Sequence, residues 1–186
     1  MIIRSTARQA LPGLLLLAVV AASLAAAPGL DGVLGAFLGA LMLAIAASDF
    51  RRYIIPNELT GAALALALLR AGAAGPEAGW EAVIWAALRG LAIALPFLAL
   101  MIGYRWWRGR DGLGLGDIKL AAVAGAWLSF VTVFAVVELA TLSALGAYFA
   151  SGYLRKRPLK ATTRLPFGLF LAPAIWIGWL VEAMLS

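Results

Sequence analysis

Seven long apolar runs, separated by short polar connections, constrain this chain more than any other feature. They cover roughly residues 11–28, 32–48, 57–71, 80–103, 117–129, 131–153 and 166–185. A helix that crosses a bilayer needs about 20 mostly apolar residues, and most of these runs approach that length. Gly and Pro punctuate the connections, at Pro28-Gly29, within 72–79 and within 109–116. The chain has 64% hydrophobic and 13% charged residues in 186, where soluble domains have about 45–50% and about 25%. Folded as a water-facing globule it would expose large apolar patches. The expected fold is all-α, a polytopic membrane helix bundle with no separate soluble domain.

The net charge of +6 is distributed as a membrane protein distributes it. Arg4 and Arg8, Arg51 and Arg52, Arg105, Arg108 and Arg110, and the run Arg155, Lys156, Arg157, Lys160 and Arg164 all fall between apolar runs, while the connections at 29–31, 72–79 and 129–130 hold no Lys or Arg. With the N-terminus inside, every basic connection returns to the cytoplasm, as the positive-inside rule requires, and the C-terminus lies outside. Lipid explains this pattern better than nucleic acid, which is not expected as a partner. The chain has no Cys and no His, which excludes disulfides, thiol nucleophiles, thiolate metal sites and imidazole bases. No cofactor or metal is expected. The first run, with two arginines before it and "SLAAAPG" after it, also has the look of a secretory signal. Pro28 directly after Ala27 disfavours cleavage there, so a retained transmembrane helix over 1–31 is expected, ahead of a six-helix domain over 32–186.

Two acids stand out against this background. Asp49 comes where the second run ends, and Asp117 opens the fifth after glycines at 112, 114 and 116. Two helices lie between them, an even number, so both acids belong to the same face of the membrane and meet if helices two and five pack together. Each also has a plain structural reading. Asp117 suits a helix N-cap, where its charge is favourable. Asp49 lies at the unfavourable C-terminal end of a helix, relieved by Arg51 and Arg52 or by solvent. A close carboxylate pair shares one proton, and such a pair can activate a water with one member while the other protonates a carbonyl oxygen. Gly114 and Gly116, lacking Cβ atoms, let backbone approach a substrate closely or simply form a flexible loop.

These residues resemble a known family. "GLGLGDIKL" resembles the GxGD signature of membrane aspartic proteases, carried by Gly114, Gly116 and Asp117; "DFRRYIIPNEL" from Asp49 resembles the first-aspartate segment of the type IV prepilin peptidases; and "RLPFGLFLAPAIWIG" resembles the start of that family's final helix. The resemblance implies an aspartic endopeptidase of the bacterial inner membrane, with Asp49 and Asp117 as the catalytic pair facing the cytoplasm and Gly114 and Gly116 in the active-site loop. Its substrate would be a prepilin or pseudopilin, recognised at the N-terminal leader and the start of its apolar helix. Lys119 matches the GDxK form of the motif; its structural alternative is an interfacial lysine reaching the headgroups. Pro56 and Asn57 are expected to start the third helix. Longer members carry a cysteine-bearing cytoplasmic insert, and some N-methylate the mature pilin. This chain lacks those cysteines, so proteolysis is carried over and methylation is not, as in the short branch found with tight-adherence (Flp-type) pili.

Other charges are read structurally. Arg89 and Glu138 lie roughly 10–14 Å deep by helix rise and are expected to pair with each other, because an unpaired charge there costs at least ~2.5 kcal/mol. Asp31, Arg70, Glu77, Glu81 and Glu182 fall near outer helix ends and need only water; Asp111 is expected to pair with Arg108 or Arg110. Trp80, Trp106 and Trp107 are read as interface anchors. A small transporter or proton-conducting protein is the alternative, in which Asp49, Asp117, Arg89 and Glu138 form a polar path.

Overall fold

The computed structural model describes residues 3–74, 78–109, 114–155 and 166–185. Glu77, Asp111, Gly112 and the basic run 156–164 lie outside them. Among the described residues there are seven helices and no strand: α1 (Ile3–Ala26), α2 (Leu30–Arg52), α3 (Asn57–Ala73), α4 (Trp80–Arg108), α5 (Leu115–Trp127), α6 (Phe130–Arg155) and α7 (Gly168–Leu185). The breaks follow local chemistry. Gly29 takes a left-handed φ of 71° before α2, and Gly109, at φ 62°, closes α4 by donating its N–H to the Arg105 carbonyl. Ser129, between α5 and α6, receives the Thr132 N–H on its hydroxyl at 3.3 Å, capping α6.

α5 is the hub. α3, α4, α6 and α7 pack on it, α2 bridges α3 and α7, and α1 lies outside on α2 and α7. Among the described residues this ring is open between α4 and α6, which do not form a packed pair. Small residues set the close approaches, as in membrane helix packing. A Cβ on Gly35 would overlap the Trp179 ring, and one on Gly90 would lie 2.8 Å from the Ala122 carbonyl oxygen.

Four helices are long and apolar enough to cross a membrane: α2, α4, Phe130–Tyr153 of α6, and α7. The expectation of seven spanning runs is therefore met by four: the apolar part of α1 (Leu11–Ala26), α3 with 17 residues and α5 are shorter, and α5 most of all. Its 13 residues rise only about 20 Å, against a hydrocarbon core of about 30 Å. From Leu120 to Leu128 every residue but Ala122 is buried, so α5 is apolar all round because protein, not lipid, surrounds it.

Charged side chains from neighbouring helices hold the far end of α5. Arg70 of α3 pairs with Asp31 of α2 (Nε to Oδ1 2.5 Å, Nη2 to Oδ2 3.2 Å), donates Nη1 to the Trp127 carbonyl at 3.3 Å, and lies 5.4 Å over the Trp127 ring. Glu182 of α7 accepts the Ser129 N–H at 2.8 Å. The cation meets a helix C-terminus and the anion a helix N-terminus, the favourable sign in both cases. Asp31, Arg70 and Glu182 thus do more than face water. Arg70→Met removes charge-assisted bonds to two helices, and the midpoint of thermal unfolding in detergent should fall in line with a loss of about 1–3 kcal/mol; an unchanged midpoint would show the cluster to be idle.

The expected Arg89–Glu138 pair is absent. Arg89 is half-buried and donates Nε to the Gly125 carbonyl of α5 at 3.4 Å, whereas Glu138 is exposed on the outer face of α6. Charge and depth were readable in the sequence, but the facing directions of α4 and α6 were not.

Candidate active site

Asp49 sits in the last turn of α2, which runs on to Arg52 rather than ending at the acid. There Tyr53 turns left-handed (φ 55°) and returns its N–H to the Asp49 carbonyl. The Ser48 hydroxyl donates to the Ile54 carbonyl at 2.8 Å, pinning the α2–α3 turn. Pro56 is the N-cap of α3 and Asn57 its first residue, close to the sequence expectation. The Asp49 side chain is 5% exposed. Its Oδ2 accepts the Leu169 N–H at 2.9 Å, with Gly168 packed against it. That amide is one of the unpaired N–H groups at the start of α7, where a carboxylate is the natural partner. The charge that looked misplaced at the end of its own helix caps the beginning of another.

Asp117 is not the N-cap of α5, as the sequence suggested. Gly114 holds that position, and Asp117 lies in the first turn. Its N–H donates to the Gly114 carbonyl at 3.1 Å, and its carboxylate folds back toward Gly114. A Cβ on Gly114 would lie 3.2 Å from Asp117 Oδ2, so glycine leaves room for the acid to fold back. Asp117 is half-buried.

The two acids approach although α2 and α5 do not form a packed pair. The connecting piece is Ile55, in the α2–α3 turn, which sequence reasoning missed. A Cβ on Gly116 would lie 2.8 Å from Ile55 Cβ; one on Gly168 would lie 2.7 Å from Ile55 Cδ1 and 2.9 Å from Asp49 Oδ2. Ile55 is thus a wedge seated between two glycines, one at the start of α5 and one at the start of α7. Asp49 lies near enough to act on the Asp117 carboxylate through its charge. Gly168 belongs to the Pro-Phe-Gly step already visible in the sequence, the one signal that marked this end of α7. Alongside, Lys119 donates Nζ to Asn57 Oδ1 at 2.5 Å, tying the first turn of α5 to that of α3. Both residues are exposed. Gly114 and Gly116 have packing tasks here, beyond those of a flexible loop.

The arrangement places two carboxylates at one end of an apolar bundle, one of them held by the Leu169 amide. By fold and composition this is a multi-pass helical membrane protein with two buried or half-buried acids at one end of its bundle. The chain belongs to the type IV leader peptidase family, whose model matches residues 36–150, a span that includes both acids, Ile55, Gly114 and Gly116. It is 32% identical over 161 residues to the prepilin leader peptidase/N-methyltransferase of Aeromonas hydrophila, covering 87% of this chain and 53% of that protein. It is 35% identical over 133 residues to leader peptidase HopD of Escherichia coli (70% and 82% covered) and 32% identical over 146 residues to that of Salmonella typhimurium (78% and 91%). The chain spans about half the length of the bifunctional relative. No solved structure matches it.

Proposed function

We propose that this protein is an aspartic endopeptidase of the bacterial inner membrane that removes the leader from type IV prepilins or pseudopilins, with Asp49 and Asp117 as the catalytic pair facing the cytoplasm. The observation that carries this reading is the convergence of Asp49 and Asp117, through Ile55, at the shared start of α5 and α7. Two neighbouring carboxylates cannot both ionise cheaply, so they hold one proton between them. The ionised member takes a proton from a bound water as that water attacks the scissile carbonyl carbon; the protonated member donates to the carbonyl oxygen. Collapse of the tetrahedral intermediate returns a proton to the leaving amine and resets the pair. Family membership supports the prepilin leader as substrate, and likeness to the two HopD leader peptidases supports proteolysis without methylation. In this reading α2–α7 form the catalytic unit, α1 is an added helix, and Gly114 and Gly116 shape the active-site loop.

The transporter alternative draws no support from the arrangement. Its four charged residues do not form one file across the bundle, since Glu138 points outward from α6.

The direct test is co-expression with a prepilin bearing its leader, expecting a shortened product; a substrate of unchanged length in the presence of folded enzyme overturns the proposal. Orientation has its own test. Single cysteines placed at Ala78 and at Trp106 should react with an impermeant maleimide from the outside and from the cytoplasm, respectively. The reverse pattern would place the acids on the wrong face.

A further inference from the structure

Glu138 has no protein partner among the described residues. It lies a little over two turns into α6, about 12 Å from Phe130 along the axis. Val133, Val136, Ala140 and Ala144 mark the buried face of this helix, while Glu138 and its neighbours one turn away, Phe134, Ala135, Thr141 and Leu142, are all exposed. A carboxylate turned toward hydrocarbon is unfavourable, and intramembrane acids as a rule face protein or water. This face of α6 is therefore suited to a protein neighbour better than to lipid.

A complementary cation sits at the same depth. Arg89 lies a little over two turns into α4, about 13 Å from Trp80. Its Nε makes the one long bond to Gly125, and its two Nη groups find no acceptor among the described residues. α5 provides an internal ruler: Gly125 is one turn from Leu128, and Leu128 and Val136 of α6 both crowd the Cβ position of Gly178. Glu138, two residues beyond Val136, is thus level with Arg89 to within a few ångströms. The direction also suits. On α4, Val83 meets Gly72 of α3 while Gly90 and Ile93 meet α5. At 100° per residue, Arg89 projects from the opposite flank of the α5-facing stripe, toward the open edge of the ring.

We propose that two copies of this chain associate side by side, α4 of each against α6 of the other, with Arg89 of each copy paired to Glu138 of its partner. Copies inserted in the same direction meet only at equal depths, which these two residues satisfy. A two-fold axis along the membrane normal makes both pairs identical and closes the assembly at two. Each pair is a charge-assisted contact with guanidinium forks opposite a carboxylate, in a medium that offers neither group a better partner.

The test uses the full chain with Ala78→Cys, labelled with donor or acceptor dye and reconstituted in phosphatidylethanolamine–phosphatidylglycerol vesicles. Wild type should show energy transfer well above that of an unrelated monomeric membrane protein at equal density, and excess unlabelled chain should reduce it. Arg89→Glu and Glu138→Arg, each self-repelling, should fall to background alone. Mixed together they should recover at least half of the wild-type signal, because both pairs reform across a mixed dimer. Glu138→Gln, a mild change on an exposed face, should lower transfer severalfold. Background transfer in wild type, an unchanged signal in Glu138→Gln, or no recovery in the mixture of two folded variants each overturns the proposal.

Discussion

Asparagine at position 117 should leave the prepilin leader uncut, with a rate at least ~1,000-fold below wild type, within the range lost when a general acid or base is removed. The substitution is nearly isosteric. The backbone bonds of residues 117 and 118 to the Gly114 carbonyl are untouched, so the first turn of α5 and the melting temperature should be preserved. Asp49→Asn should be equally inactive, since its oxygen still accepts the Leu169 N–H while the shared proton is lost. The double variant should be no worse than either single one, because residues acting as a unit are not additive. Wild type should show a bell-shaped dependence of rate on pH, reporting the pair rather than either residue. Processing by either Asn variant within tenfold of wild type would remove that acid from the catalytic step.

Gly168→Val should be the most damaging change outside the acids. The first added carbon would enter the space held by Ile55 Cδ1 and Asp49 Oδ2, 2.7 and 2.9 Å away, and the branched remainder needs more room still. Asp49 must then leave the Leu169 amide, or Ile55 must leave its seat against Gly116. Either shift moves one acid relative to the other by about 1 Å, and displacement on that scale costs on the order of 100-fold in rate. Gly103→Ala, at a helical glycine with open space around it, is the matched control and should behave as wild type. If Gly168→Val cleaves normally, the wedge is not what sets the spacing of the acids.

The seven helices and the two acids were legible in the sequence, because apolar run length and an isolated carboxylate are local signals. What surrounds the acids was not. The bond from Leu169 to Asp49 joins positions 120 apart in the chain, and nothing in the local pattern around Ile55 distinguishes it from any other apolar turn residue. The Arg89–Glu138 error has the same origin: helical rise gives depth, but the direction in which a helix presents a residue depends on its neighbours. Arg70 and Glu182 were assigned to water because they fall near helix ends, and the recessed α5–α6 junction that they satisfy could not be inferred from run lengths alone. Only the Pro-Phe-Gly step hinted that the start of α7 belonged with Asp49.

The shortness of α5 has a mechanical consequence. Long helices that reach both headgroup layers tilt or slide when lipid thickness changes. α5, with 13 residues, is too short to span the hydrocarbon by itself: Arg70 and Glu182 grip the junction at its far end, and Ile55 seats its near end. Its position is referred to the protein frame, so the rate of leader removal should change little between vesicles of thinner and thicker lipids.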